Sequence, residues 1–511
     1  MDSKSWTPTL RAAASSGILT TVVLSLLPAG CAVGPNYKRP DTAPASTYSP
    51  VPLPPATVST DITAGAAQNF NAARDISADW WTLFQSPALN ELVARAFKAN
   101  PTIAAAVASL KQAQESVYAQ RGFFFPTLQA DYTAQRTKLS GNTASSSAPG
   151  VQGNGEDITP LGPAQPVTYN FHTAQLTVGF VPDVFGGNRR QVESLQAQAD
   201  AASYQLAATY VTLATNVVAA AIQEASTRAQ IAAVEAIIEA NTKSLEILRG
   251  QLRWGYAARI DVAAQESALA QTQQLLPPLE KQLEQTRDLL RVLAGNAPDH
   301  DIAATFQLAT LQLPQDLPMA VPAKLIDHRP DVRAAEEQVH SASALIGVAV
   351  ANRLPQFSIT GDLGGNATQF SQMFQGAGTF WDVLGNASAT IFDGGALRHR
   401  QHAAEQAFAQ AAAQYRTTVL TAFQNVADTL HAIYSDADAV KAAAAADAAA
   451  KTTLELTQKQ LQAGYVNELA LLSAQQAYQQ AEIALIQAQS SRLGDTAALF
   501  QALGGGWWNR S

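Results

Sequence analysis

Apolar side chains recur along one stretch as Ile231, Val234, Ile238, Leu245, Leu248 and Leu252, with Asn241 holding one place in the same 3-4-3-4-3-4 rhythm. That rhythm is the seam of a coiled coil, and it predicts a helix with a single narrow apolar stripe. The remaining faces carry Ala, Gln, Thr, Ser, Asn and Glu, so the helix packs on its neighbours along a line. The seam belongs to a longer run, Asn188 to Arg249, sixty-two residues with neither glycine nor proline, entered through Gly186-Gly187 and left at Gly250. As one α-helix this run would be about 93 Å long.

A second run repeats the first. Ala396 to Ala463 is free of glycine and proline for sixty-eight residues, follows Gly394-Gly395 and ends, like the first, at a Gly-Tyr pair. The flanking landmarks also pair: Asn100-Pro101 with Arg329-Pro330, Pro126 with Pro355, Gly255-Tyr256 with Gly464-Tyr465, and Leu293-Ala294-Gly295 with Ala502-Leu503-Gly504. The first two pairs are 229 residues apart and the last two 209, so the first copy holds twenty extra residues between Pro126 and Gly186. A duplication of this period describes one body made of two similar halves, neither able to bury its seam alone.

Between the helical stretches the period falls to two. Phe124, Leu128, Ala130, Tyr132 and Ala134 alternate with Thr127, Gln129, Asp131, Thr133 and Gln135, and Ala174, Leu176, Val178 and Phe180 with Thr173, Gln175, Thr177 and Gly179. A Ser/Gly/Asn/Pro-rich loop, Ser140 to Pro166, separates them. The second copy repeats the pattern with Phe357, Ile359, Gly361 and Leu363, then with Val383, Gly385, Ala387, Ala389 and Ile391, and Trp381 takes the place of an interfacial aromatic. Each segment has about the 9 to 11 residues of a tilted membrane-crossing strand. Leu128, Tyr132, Leu176, Val178, Ile359 and Val383 are predicted to face outward, and Gln129, Thr177 and Thr360 the lumen.

Four strands cannot close a barrel, and open sheet edges are not tolerated in lipid. A spanning reading therefore requires several copies of the chain. No apolar run after the leader reaches the ~18 residues of a transmembrane helix, which leaves a shared barrel as the way across. Each copy also offers two shorter helical segments, Pro87 to Gln120 and Ala258 to Leu293 in the first, Lys324 to Asn352 and Glu468 to Ala502 in the second. Stacked end to end, each pair matches its long helix and puts the Gly-Tyr turns at the far tips, about 90 Å or more from the strands.

Composition adds exclusions. Charged residues make up 14% of the 511, the formal net charge is −8, and no basic footprint points to nucleic acid. Lys4 and Arg11 precede an apolar stretch, Gly17 to Leu27, and then Ala29-Gly30-Cys31, the pattern of a secretory signal. Cys31 is the only cysteine, so intrachain disulfides are excluded. Its place directly after small residues at the end of a signal resembles the lipobox of bacterial lipoproteins, with Pro28 where that motif usually has leucine. Ala32 follows rather than an aspartate, which favours the outer membrane. Seven prolines between residues 32 and 60 then make an extended arm.

Catalytic and cofactor motifs are absent: no His-Glu-x-x-His, no Gly-x-Ser-x-Gly, no phosphate-binding Gly-x-x-x-x-Gly-Lys and no cysteine pair. His399 and His402 lie one helical turn apart with Glu405 three further on, a spacing compatible with a metal but explained as well by a charged helix start. No enzyme activity, cofactor or metal is expected. Asp79-Trp80-Trp81 and Phe84 read as core packing or a helix anchor.

Taken together, Cys31-Ala32-Val33-Gly34-Pro35-Asn36-Tyr37, Asp79-Trp80-Trp81 with Phe84, Arg329-Pro330-Asp331-Val332, Phe392-Asp393-Gly394-Gly395 and Leu503-Gly504-Gly505-Gly506-Trp507 resemble the TolC-family outer-membrane efflux factors, in their lipoprotein branch of OprM-like, NodT-type proteins. The resemblance covers essentially all of residues 31 to 508. It implies a mainly α fold with β: a homotrimer whose twelve-strand β-barrel, four strands per chain, spans the outer membrane of a Gram-negative bacterium and continues as a coiled-coil α-barrel in the periplasm. It implies lipid attachment at Cys31, outer-membrane lipid around the barrel, and docking through the helical tips with a periplasmic adaptor (membrane fusion) protein and an inner-membrane RND-type transporter. Such channels are passive exit ducts for drugs and other small toxic compounds, closed at rest. The family's tip latch falls on Asp261 and Tyr465, its leucine ring on Leu469 and its aspartate ring on Ser473, a departure beside which Glu468 stands as a substitute.

The expected organisation is a signal at 1–30, a lipidated proline-rich arm at 31–78, a first repeat at 79–295 with strands near 123–137 and 170–183, and a linker at 296–323. A second repeat follows at 324–506 with strands near 356–365 and 380–392, then a tail at 507–511. Two other readings share parts of this pattern: the duct of a type I secretion system, and a coiled-coil structural lipoprotein that forms no pore. The cargo would be set by the transporter rather than by this chain.

Overall fold

The structure is a computed structural model that describes residues 32–41, 47–71, 74–139, 166–319 and 322–509. Cys31 and the signal lie outside the described residues. In chain order the elements are β1 (Asn69–Asn71), α1 (Pro87–Ala99), α2 (Pro101–Gly122), β2 (Thr127–Leu139), β3 (Val167–Phe180), α3 (Gly187–Arg253), α4 (Arg259–Gln273) and α5 (Leu276–Leu293). The second half continues with β4 (Asp316–Pro318), α6 (Pro322–His328), α7 (Pro330–Ala351), β5 (Gln356–Ala367), β6 (Thr379–Ser388), α8 (Ala396–Gln462) and α9 (Glu468–Ala502).

The two long helices carry 67 residues each. Both begin under an aspartate: Asp183 accepts from the backbone N–H of Asn188 and Arg189, both at 2.9 Å, and Asp393 from Gly395 at 2.8 Å and Leu397 at 2.7 Å. Each carboxylate satisfies amides that have no partner inside the helix and complements its positive end. Both helices end alike. Tyr256 N–H donates to Gln251 O and Tyr465 N–H to Gln460 O, each at 2.9 Å, around Gly255 and Gly464 at φ +77° and +79°. This six-to-one closure needs a left-handed residue, which glycine adopts without a Cβ penalty. α3 runs through Gly250 to Arg253, because a mid-helix glycine costs only about 1 kcal/mol.

The chain forms two compact units. One comprises Met1–Tyr37, Ser116–Leu195 and Ser341–Phe408; the other Lys38–Glu115, Gln196–His340 and Ala409–Ser511. The first contains an antiparallel sheet in the order β2-β3-β5-β6. Its strands depart slightly from expectation. Phe124 and Phe125 lie in a turn bonded back to Arg121 and Gly122, and Pro126, with no N–H, delays β2 to Thr127. At the other edge the β5–β6 ladder ends at Gln356↔Ser388, just after Pro355, so Ala389 and Ile391 fall in the turn that leads to Asp393.

In the second unit the predicted seam is buried at Val234, Asn241, Leu245 and Leu248 and half-buried at Ile231, Ile238 and Leu252. Asn241 is paired: its Nδ2 donates to Thr272 Oγ1 at 3.3 Å, and Gln265 Nε2 donates to Asn241 O at 3.1 Å. Val262 of α4 closes over Leu245 and Leu248. α8 lays down its own stripe through Tyr415, Val419, Ala422, Val426, Leu430, Ile433, Ala437 and Val440. Trp80 is fully buried and stacks on Phe500 at 5.0 Å between ring centres, beside Phe84.

Of the shorter helices, Glu468–Ala502 is continuous as expected, while the other three expected segments are interrupted. Asn100 breaks the first, giving its side-chain N–H to Leu293 O at 2.9 Å before Pro101 starts α2. Pro277 opens α5 one residue in, a position that tolerates its missing N–H. One window of α3 is long and apolar enough to cross a membrane by composition, contrary to the expectation that none follows the leader. Half of it is buried in protein, with Val217, Val218 and Ala221 among the fully buried residues of α3.

Candidate channel wall and gate

The sheet of the first unit is a wall with two chemistries. Its register aligns Leu128 with Val178 and Gly361 with both Val178 and Val383, then Ala130 with Leu176, Leu363 and, across β6, Trp381. Alternation along four strands thus collects Leu128, Ala130, Leu176, Val178, Leu363, Trp381 and Val383 on one face, while Phe171, Phe380 and Leu384 fall on the other. The first face is exposed: Leu128 at 68%, Val383 at 71% and Trp381 at 75% of full accessibility. The opposite face aligns Gln129 with Thr177, Thr177 with Asp362, and Asp362 with Asp382. Thr177 Oγ1 donates to the Asp362 carboxylate, and Gln175 Nε2 reaches it at 3.5 Å. The polar face holds Asp131, Asp362 and Asp382 and, among the described strand residues, no lysine or arginine. β2 and β6, the outer strands, are each paired on one side only among the described residues.

The gate candidates lie in the second unit, at the turns after α3 and α8. Asp261 is the third residue of α4, and its Oδ2 accepts from Ala258 N–H at 3.1 Å, the geometry of a helix cap. Tyr465 is 84% exposed, and Leu469 and Ser473 are also open. Among the described residues no hydrogen bond joins Asp261 to Tyr465. Glu468, the first residue of α9, faces the like charge of Asp261 at the first-copy turn: burial first, and then repulsion from Asp261, hold its carboxyl above the usual range. Trp254, Tyr256 and Ile260 surround the first turn with exposed apolar surface.

Two features between α8 and α9 escaped the sequence reading. Asp436 pairs with Asp495, and its pKa is pushed up to about 7, first by burial and then by the hydrogen bond between the two carboxyls. Glu482 is likewise raised by burial and by the charge of Asp447. A carboxyl whose folded pKa is raised keeps a proton that the unfolded chain has lost, so this pair withdraws stability as pH rises from about 4 to about 7. Asp436→Asn is therefore expected to melt above the parent at pH 8 and to lose most of that advantage at pH 5. Thermal unfolding at the two pH values checks it, and an equal offset at both would contradict the shared proton.

The second feature is Arg492, fully buried on α9. Its guanidinium donates to Ala64 O at 2.9 Å, Ala66 O at 2.7 Å, Thr57 Oγ1 at 3.0 Å and Gln68 Oε1 at 3.3 Å. Gln68 in turn donates to Pro314 O and Thr496 Oγ1, both at 3.0 Å. One cation thereby holds the arm and the segment between the repeats on α9. The arm is thus folded rather than merely extended, and β1 pairs in parallel with β4. The visible signal was an arginine among Leu493, Thr496, Ala497 and Phe500, on the stripe that α9 buries.

His399 and His402 stack edge to face at 6.1 Å, while Glu405 accepts from Gln401 at 2.8 Å. Among the described residues no group of three His, Cys, Asp or Glu side chains could hold a metal.

A duplicated pair of long helices, each flanked by two strands of one two-faced sheet, is the architecture found in known proteins. The model of the family described as outer membrane efflux protein matches residues 92–296 and 321–505, one match in each half. The chain belongs to this family. The pyoverdine export outer membrane protein OpmQ of Pseudomonas putida is 27% identical over 436 residues, covering 84% of this chain and 88% of OpmQ. Outer membrane protein OprJ of Pseudomonas aeruginosa is 26% identical over 492 residues, 96% of each chain. The solved outer-membrane channel OprN superimposes with a TM-score of 0.79 at 26% identity, covering 93% of this chain and all of that one. The TolC-type fold and the role of outer-membrane efflux channel, the exit duct of a tripartite pump, follow for this chain.

Proposed function

We propose that three copies of this chain close a twelve-strand barrel, and that the trimer, anchored through a lipid on Cys31, receives its cargo from an RND-type inner-membrane transporter through a periplasmic adaptor. The observation that carries this reading is the four-stranded sheet with one exposed apolar face, one polar face and two single-sided edges. Such edges in lipid each cost several unsatisfied backbone groups unless another copy pairs with them. The exposed Trp254, Tyr256 and Ile260 beside the first turn suit an adaptor's apolar contacts. Three aspartates and, among the described strand residues, no lysine or arginine on the polar face favour cationic or zwitterionic small molecules over anions. The name of OpmQ makes an exported compound such as pyoverdine one member of the cargo class, and the drugs and toxic compounds expected above are others.

Outer membranes carrying the chain should show an SDS-resistant species of three subunits that collapses to the monomer on boiling, and the purified protein should conduct in planar bilayers. A monomer that never conducts would refute the duct and leave the coiled-coil structural lipoprotein. Intact mass of the mature chain should show acylated Cys31 as its first residue.

The gate reading assigns Asp261 and Tyr465 to a latch and Leu469 to a ring at the closed tip, with Glu468 supplying the charge that Ser473 lacks. Asp261→Ala combined with Tyr465→Phe should raise bilayer conductance, and Leu469→Ala should raise it further. A cap alone at Asp261 would cost about 0.5 to 2 kcal/mol of helix stability and leave conductance unchanged.

A further inference from the structure

Ala32 and Val33 lie against residues beside an open cavity of the first unit. Ala32 rests on Gly186 so closely that a Cβ at that glycine would lie 2.5 Å from Ala32 Cα. Val33 N–H donates to Phe185 O at 3.1 Å, and Arg190, buried in the first turns of α3, donates to Val33 O at 3.1 Å and Asn36 Oδ1 at 2.7 Å. Gly347 of α7 makes a second close approach, its Cβ position 2.7 Å from Val33 O. These contacts fix the start of the arm against the helix–strand junction rather than leaving it to wander. One residue reaches about 3.8 Å, so the arm delivers whatever Cys31 carries to this junction.

Phe185 and Gly187, on either side of the glycine that seats Ala32, line a cavity of about 310 Å³. Phe123, Val181, Val184, Val348 and Phe357 supply much of its apolar wall. Phe123 and Val181 are both exposed, at 65% and 60%. The volume is at the lower end of sites that hold small ligands. The polar edge matters as well: Asn188 lines the cavity, its Oδ1 accepts from Gln120 at 2.6 Å, and its side-chain Nδ2 is buried without a partner. An unmet amide donor at the margin of an apolar cavity matches an acyl group, whose carbonyl accepts a hydrogen bond while its chain fills the rest.

We infer that this cavity is the seat of one acyl chain of the lipid carried by Cys31, so that the anchor packs against the protein at the foot of the sheet instead of entering the bilayer with all its chains. The inference rests on the lipoprotein reading proposed above. Its occupant is specific to this chain because the arm, through Val33 and Arg190, ends beside the cavity. Bound there, the chain ties α2, α3, α7 and β5, which all contribute to the wall, at the point where helices become strands.

The test uses full-length protein from cells fed a fatty acid with a terminal diazirine and alkyne. After irradiation, detergent extraction and digestion, the peptide beginning at Cys31 should be cross-linked through its acyl chain to peptides containing Phe123 or Val181 to Asn188. Val184→Trp, which fills the cavity, should cut that cross-link at least tenfold while Cys31 stays acylated by intact mass and the trimer survives on gels. An unmodified Cys31 would overturn the lipoprotein reading and this inference with it. An acylated Cys31 whose chain labels only phospholipid or detergent would overturn the inference alone. So would cross-links at the cavity that come from free phospholipid, whose mass differs from that of the tethered peptide.

Discussion

Leu176→Arg should abolish assembly of the trimer in the outer membrane, while Thr177→Arg, one residue along the same strand, should be tolerated. Leu176 sits on the apolar face between Ala130 and Leu363, and Thr177 on the polar face between Gln129 and Asp362. A charge on the lipid face near mid-membrane costs about 2 to 4 kcal/mol per copy, and a trimer pays it three times. An arginine at Thr177 would instead meet Asp362, with Asp382 one strand further on. Heat-modifiable gel mobility of outer-membrane extracts measures assembly directly. Loss of the trimer in both variants, or in neither, would mean that the sheet faces are assigned wrongly.

That pair of residues also shows what a sequence can carry. A strand alternates with a period of two, so Leu176 and Thr177 declare opposite faces before any partner strand is known. The Asp-x-x-Gly-Gly and Asp-Gly-Gly entries to the long helices and their Gly-Tyr exits are equally local, since a cap and a left-handed turn involve only a few neighbouring residues. The coiled-coil seam was legible because it repeats, and Asn241 fitted it once Gln265 and Thr272 supplied partners from α4. What was lost depends on distance along the chain. Asp436 and Asp495 are 59 residues apart, and neither carboxyl signals on its own that it shares a proton. Pro277 lies inside the stretch Ala258 to Leu293, which was expected as one helix, and the observed break falls just before it, between Gln273 and Leu276. The gate candidates rest on the family resemblance alone, because no local pattern in the chain marks Asp261, Tyr465, Leu469 or Ser473.

Arg492→Leu is expected to destabilise the second unit by about 3 to 5 kcal/mol, the cost of stripping several buried acceptors of a charged donor at once. Leucine fills the volume but leaves Ala64 O, Ala66 O, Thr57 Oγ1 and Gln68 Oε1 without the guanidinium. The positive charge also has a local counterpart, since Asp436 lies near enough to act on it. Arg492→Lys should recover only part of the loss, since one ammonium cannot span acceptors placed around a planar fork. The consequence for the arm separates this role from general packing. With the guanidinium gone, residues 57–68 should become accessible to protease while the sheet of the first unit keeps its resistance. Limited proteolysis with identification of the cut sites, alongside chemical denaturation, reads both. An arm that stays protected in Arg492→Leu, with stability within 1 kcal/mol of the parent as for an ordinary surface change, would show that β1 and β4 hold the arm without it.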